Sequence, residues 1–169
     1  MKHDFLKLSI YFFLSNIFTI LDAETRQNMT ESKKEEGNML FAKACYSLAS
    51  RKYGEALLLC PENAALYANR AACHIALKDG VKGYEDALKS IEIDPKYTKG
   101  YFRAAKASIL EGNLSQAKVY FDHVCELDPE GVTEEEWKNL EALMKTSEDL
   151  KEYLANKDHA RALDTIKVC

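Results

Sequence analysis

The sequence predicts an all-α fold, a solenoid of antiparallel helix pairs with extra helices towards the C-terminus. Its three prolines, Pro61, Pro95 and Pro129, are separated by intervals of 34 residues. This period is typical of a repeat built from two helices, and proline suits the boundary between helices because it is tolerated only in the first helical turn. With 47% hydrophobic and 30% charged residues, the chain of 169 residues can form a packed core.

The repeat divides residues 30–131 into three units, 30–63, 64–97 and 98–131. Positions 8 and 20 of the units hold small residues: Gly37, Ala71 and Ala105, then Ala49, Gly83 and Ala117. Position 24 holds Tyr53, Ala87 and Phe121. Small residues let two helices pack closely, and bulkier ones fill the space between units. The period and its phase resemble the tetratricopeptide repeat (TPR), which implies one antiparallel helix pair per unit.

The turns inside the units are less uniform in sequence. Gly80 and Gly112 fall between the two helices of their units, as turn residues should. In the first unit, residues 43–46 read KACY and include no Gly, Pro, Asn or Asp. We therefore expect an irregular turn there.

Residues 132–169 are predicted to form a capping helix and a partial fourth repeat. Thr133 and Glu136 have the spacing of a capping box, and Trp137, Leu140 and Met144 follow at helical spacing. This helix should cover the apolar end of the third unit, because solenoid ends need a cap. From Ser147 onward the sequence predicts two further short helices, joined at residues 156–158.

Residues 1–29 are predicted to be an apolar segment followed by a linker. The run from Phe5 to Leu21 is interrupted by a charge only at Lys7. Three interpretations remain open: a secretory signal peptide, a membrane anchor at the short limit of about 17–25 residues, and an extra helix packed on the solenoid.

One helical stripe of the first helices concentrates cations and amides. The residues are Lys34, Asn38, Asn69, Lys99 and Arg103. They occupy repeat positions 2, 5, 6 and 9, a spacing of i, i+3, i+4 and i+7 that lies on one helix face. Successive stripes form the concave groove of a solenoid. Such a groove suits the two carboxylates at a C-terminal Asp, since cations supply charge and amides supply oriented donors.

The same residues lie in three short runs: KEEGN, LYANRAA and KGYFRAA. The runs resemble the TPR co-chaperones that have a two-carboxylate clamp, and the sequence is most similar to the TPR region of the J-domain co-chaperones. The resemblance implies a cytoplasmic adaptor that binds the C-terminal Glu-Glu-Val-Asp of seventy- or ninety-kilodalton heat-shock chaperones through Lys34, Asn38, Asn69, Lys99 and Arg103. The His-Pro-Asp triad of a J-domain does not occur in the sequence.

Other classes of function have little support in the sequence. No phosphate-binding Gly-rich loop, nucleophile elbow or zinc-ligand spacing occurs, so we expect no enzyme, no cofactor and no metal. The net charge of -4 argues against a nucleic-acid partner. If Phe5–Leu21 acts as a signal or an anchor, the alternative is a TPR assembly scaffold of the secretory pathway or a membrane, without binding of chaperone tails.

Overall fold

The computed structural model describes residues 2–156, 161 and 163–165, with their side chains from Asp22 onward. Its helices are α1 (Lys2–Ala42), α2 (Tyr46–Leu59), α3 (Ala64–Ala76), α4 (Gly80–Ile93), α5 (Thr98–Leu110), α6 (Leu114–Leu127) and α7 (Glu134–Ala155). No strand occurs among the described residues, and the predicted all-α fold is confirmed.

Consecutive helices pack in pairs, and the pairs stack on one another. α1 packs on α2, α3 on α4 and α5 on α6, while α2–α3 and α4–α5 contacts join neighbouring pairs. The short connections within the pairs make their helices antiparallel. α3 also contacts α5 directly, so the first helices of the second and third pairs lie side by side. The predicted groove includes these two helices.

The small residues mark the close contacts between paired helices. A Cβ atom added to Gly37 would lie 2.7 Å from Cε1 of Tyr53, so the Tyr53 ring packs directly on the backbone of α1. Ala49, Ala71, Ala105 and Ala117 are fully buried. The expectation that these positions allow close packing is confirmed, because larger side chains would push the helices apart.

The turn of the first unit is regular, contrary to the expectation from its sequence. Ala44, Lys78 and Gly112, each 34 residues from the next, have φ values of 56°, 63° and 74°. In each turn this residue donates its N–H to the carbonyl three residues earlier, and the next residue donates to the carbonyl five residues earlier. The three turns are thus the same helix C-terminal motif. Gly80 was wrongly expected in such a turn: it is the first residue of α4, and Lys78 takes the left-handed conformation.

The C-terminal region differs in part from the expectation. Thr133 and Glu136 form the predicted capping box, and Trp137, Leu140 and Met144 pack on the core of the third helix pair. However, α7 continues without a break to Ala155, so the capping helix and the first of the two short helices expected after Ser147 are a single helix. No Gly or Pro interrupts this segment, which explains its continuity. Lys157 and Asp158, in the expected joint, lie outside the described residues.

The first helix crosses position 30 without interruption, although the sequence suggests a linker there. From Asp22 to Met29 every side chain is exposed, and Thr30 is the first buried residue among the side chains that the structure describes in α1. The side chains of Phe5–Leu21, on which the three interpretations of this segment depend, lie outside the described residues. Within the described part of the chain, no helix combines the length and the hydropathy of a membrane span.

Candidate functional site

Asn38 lies near the C-terminal end of α1, with its carboxamide held by a buried tyrosine. The Tyr53 hydroxyl donates a hydrogen bond of 2.7 Å to Oδ1 of Asn38. Burial raises the pKa of Tyr53 to about 12, so this hydroxyl stays protonated and remains a donor at neutral pH. Because the side-chain oxygen of Asn38 accepts this bond, its NH₂ group remains to donate hydrogen bonds to a ligand. The packing of Tyr53 against Gly37 thereby orients the amide.

Asn69 of α3 and Arg103 of α5 share a cavity with Asn38. The cavity has a volume of about 220 Å³. Its lining residues come from α1, α2, α3 and α5: Asn38, Phe41, Ala42, Tyr53, Asn69, Ala72 and Arg103. Two carboxamides and one guanidinium therefore face a small space with apolar walls. Such a space favours a compact anion that can accept several hydrogen bonds.

Arg103 is a half-buried cation that forms no ion pair with the carboxylates of the described residues. Burial lowers its pKa, while the charges of Tyr97, Cys73 and Glu136 act in the opposite direction. An arginine nevertheless stays protonated in proteins. Its guanidinium carbon lies 5.5 Å from the centroid of the Phe102 ring. A partly desolvated charge without a direct counter-ion is unfavourable in the free protein, so an anionic ligand would be stabilised there.

A second cavity adjoins the first at Arg103. It has a volume of about 500 Å³ and is lined mainly by α5 and the residues before it: Lys96, Tyr97, Thr98, Lys99, Phe102, Arg103, Asp128 and Gly131. Lys99 is exposed here, and the structure gives it no ion pair with a described carboxylate. Arg103 lines both cavities, and we call the two cavities together the clamp groove.

Lys34 lies at the margin of the clamp groove. It lines neither cavity, and its Nζ forms an ion pair of 2.7 Å with Oε1 of Glu31 on the same helix. Its charge nevertheless reaches Tyr97: burial raises the pKa of the Tyr97 hydroxyl, and Arg103 and Lys34 reduce that increase. The structure therefore brings Asn38, Asn69 and Arg103 together, places Lys99 beside them, and leaves Lys34 nearby with a competing partner.

The predicted site omits Tyr53, which lines the clamp groove, and Lys106, which lines neither of its cavities but lies on the same helix as Arg103. Tyr53 was assigned only to the packing between units, and nothing in the sequence shows that its hydroxyl reaches Asn38. Lys106 is different, because it occupies position 9 of the third unit, as Asn38 does in the first. Extending the stripe by one turn of α5 would have identified it.

A larger cavity, of about 520 Å³, lies between α2, α3 and α4. Here the half-buried arginine is already paired: the Arg70 guanidinium donates to both carboxylate oxygens of Asp86, at 2.8 and 2.6 Å. His74 lies 3.3 Å from the Ser50 hydroxyl, and burial lowers its pKa. This cavity is therefore less suited to binding an anion than the clamp groove is. Within the described residues, no group of three His, Cys, Asp or Glu side chains could hold a metal ion.

Comparison with known proteins identifies several relatives. No family model matches the chain. It is similar to small glutamine-rich tetratricopeptide repeat-containing protein 2 of Saccharomyces cerevisiae, with 37% identity over 127 residues that make up 75% of this chain and 36% of that protein. The chain thus spans about a third of the length of this relative.

Two solved structures with bound peptides are also similar. The second TPR of Spaghetti (RPAP3), bound to the HSP90 peptide SRMEEVD, is 30% identical with a TM-score of 0.59, covering 62% of this chain and 99% of that one. The second TPR domain of human RPAP3, in complex with the HSP70 peptide SGPTIEEVD, is 26% identical with a TM-score of 0.64, covering 70% of this chain and 98% of that one.

Proposed function

Because the chain belongs to the tetratricopeptide-repeat family and is homologous to its co-chaperone members, we propose that it is an adaptor for chaperone tails. Its ligand is the C-terminal Glu-Glu-Val-Asp of seventy- or ninety-kilodalton heat-shock chaperones, bound in the clamp groove. The observation that carries the proposal is the half-buried Arg103 guanidinium, which has no carboxylate partner among the described residues and shares its cavity with Asn38 and Asn69.

Each groove residue has a defined part in this binding. A C-terminal Asp presents its main-chain carboxylate and its side-chain carboxylate close together. The NH₂ groups of Asn38 and Asn69 donate to one carboxylate, and Arg103 and Lys99 supply the positive charge. Hydrogen bonds to charged groups contribute about 1.5–3 kcal/mol each. A few of them, less the cost of ordering a flexible tail, correspond to micromolar affinity, about -8 kcal/mol.

The adaptor acts without catalysis and in the cytosol, where such chaperone tails are found. Its role is to hold a partner protein. The apolar segment Phe5–Leu21 favours a second candidate, a TPR scaffold of the secretory pathway or a membrane that binds no chaperone tail. The two candidates differ in their response to a peptide with a free C-terminus.

Calorimetry with SRMEEVD as the free acid and as the C-terminal amide tests the proposal. We expect micromolar binding of the free acid and at least tenfold weaker binding of the amide. Amidation removes one negative charge and replaces an acceptor with a donor that faces Asn38 and Asn69. Equal affinity for the two peptides would contradict the clamp and favour the scaffold.

Variants of the groove cations locate the binding site. Lys99→Ala and Arg103→Ala should each weaken binding by about 1–3 kcal/mol with unchanged helicity, since they remove charge-assisted hydrogen bonds. Lys34→Ala should have a smaller effect, because Lys34 must give up its ion pair with Glu31. Lys89→Ala is the matched control, as Lys89 forms the same kind of i,i+3 pair, with Glu92, on α4. A loss of affinity in the control equal to that of Arg103→Ala would place the peptide elsewhere.

A further inference from the structure

We propose that Lys106 determines the specificity of the clamp groove for an acidic residue upstream of the terminal Asp. In this proposal, which rests on the proposed function, the Lys106 ammonium leaves Glu136 of α7 and binds a glutamate side chain of the tail. The selectivity for the acidic sequence then depends on one lysine, whereas the grip on the terminus depends on Asn38, Asn69 and Arg103.

The position of Lys106 places it on the groove face of α5. Lys99, Arg103 and Lys106 have the spacing i, i+4 and i+7, so their side chains lie on one face of the helix. The Nζ atom of Lys106 lies 5.4 Å from the centroid of Phe102, and the guanidinium carbon of Arg103 lies 5.5 Å from the same centroid. Since Phe102 lines the cavity that contains Lys99, Lys106 adjoins that cavity.

The present partner of Lys106 has other hydrogen bonds of its own. Nζ of Lys106 forms an ion pair of 2.9 Å with Oε1 of Glu136. The other oxygen, Oε2, accepts hydrogen bonds from the backbone N–H and the hydroxyl of Thr133, at 3.0 and 3.1 Å. When Lys106 leaves, Glu136 keeps these two bonds and its place at the N-terminus of α7, where negative charge is favourable. The exchange therefore replaces one carboxylate by another.

The chemistry of the ligand fits this exchange. Both peptides in the related complexes have two glutamates before the terminal Val-Asp. An extended chain advances about 3.3 Å per residue, and Lys106 lies about 4.5 Å along the helix axis from Arg103. A glutamate two or three residues before the end can thus reach a flexible lysine at this distance. Without a cation nearby, the groove would not stabilise the carboxylate of this glutamate.

The test compares SRMEEVD with SRMQQVD, in which both glutamates are replaced by glutamine. For Lys106→Met, which keeps the aliphatic stem but removes the charge, the preference for SRMEEVD over SRMQQVD should fall roughly three- to tenfold. Affinity for SRMQQVD should change by less than about twofold. Lys106→Arg should retain the preference, because the charge is kept. Glu136→Gln should increase the preference, because Lys106 loses its competing anion.

Lys118→Met is the matched control. Lys118 also has an ion pair, with Asp122, and lies 5.4 Å from the Trp137 ring, but it belongs to α6 outside the groove. It should leave both affinities unchanged. An unchanged preference in Lys106→Met, or an equal loss for both peptides, would overturn the role of Lys106 while leaving the proposed function intact. Failure of the unaltered protein to bind SRMEEVD would overturn both.

Discussion

Ala44, Lys78 and Gly112 have the same backbone conformation but different costs for adopting it. All three lie in the left-handed region, with φ between 56° and 74°. Side chains with a Cβ destabilise this conformation by about 1–2 kcal/mol, whereas glycine adopts it without strain. Only Gly112 therefore fits its position, and the other two turns are formed against the local preference of their residues.

Lys78→Gly is expected to stabilise the protein. The substitution removes the strain at φ 63°, and the greater freedom of glycine in the unfolded chain offsets part of the gain, leaving about 0.5–1 kcal/mol. Gly112→Ala should destabilise by about 1 kcal/mol, because no atom within 4 Å would contact the new Cβ and the strain is uncompensated. Urea unfolding measures both changes.

Gly54→Ala provides the control for this prediction. Gly54 lies inside α2, and an added Cβ would make only an ordinary contact of 3.7 Å with Nη1 of Arg70. Here alanine should stabilise by about 0.5–1 kcal/mol, because it is the better helix former. A destabilised Gly54→Ala together with a neutral Gly112→Ala would show that the backbone conformations are not those described.

Only some features of the clamp groove could be predicted from the spacing of residues in the sequence. Asn69, Lys99 and Arg103 could be assigned to one face because the 34-residue repeat and the helical periodicity depend only on sequence spacing. Sequence spacing could not predict the hydrogen bond from Tyr53 to Asn38 or the ion pair between Lys106 and Glu136. Each of these joins side chains of two different helices. The pair between Lys34 and Glu31 depends on rotamers that spacing permits but does not require.

At the scale of an element, α7 closes the apolar end of the third helix pair. Leu140 is buried against the core of α5 and α6. The Trp137 ring packs edge-on against Phe121, with 5.7 Å between the two ring centroids. The same helix carries Glu136, which pairs with Lys106 of α5. α7 is therefore both a cover for the core and one wall beside the groove.

Leu140→Ala should destabilise the protein by about 2–5 kcal/mol, the usual cost of deleting a buried leucine side chain and leaving a cavity. Leu143→Ala is the matched variant on the same helix, where Leu143 is 40% exposed and Leu140 only 1%. Its stability should change by less than about 1 kcal/mol. Thermal or urea unfolding of the two variants measures the difference, and similar losses in both would contradict the packing of α7.

At the scale of the whole molecule, the described packing begins at Thr30. Removal of residues 1–23 should leave the helical repeats folded, because the repeat pattern begins only at residue 30 and the side chains from Asp22 to Met29, which join it to the apolar segment, are exposed. We expect a melting temperature within about 3 °C of that of the full chain, which corresponds to roughly 1 kcal/mol or less. Solubility should improve, since an apolar run is lost.

Circular dichroism and peptide calorimetry on the truncated chain check this expectation. Affinity for SRMEEVD should stay within about twofold of the full chain, a difference of less than 1 kcal/mol. A truncated chain that does not fold would identify the apolar segment as a structural helix of the solenoid and would contradict the signal-peptide interpretation.

The sequence by itself determined the repeat and the face on which the charges lie. A period of 34 residues and helical spacing are properties of the chain order, so Pro61, Pro95 and Pro129 and the groove stripe were sufficient. Only the tertiary structure decided that Ala44 and Lys78 take the same turn as Gly112. It also decided which groove charges already have partners. These features depend on contacts between distant segments, whose packing energy can outweigh a local preference of about 1 kcal/mol.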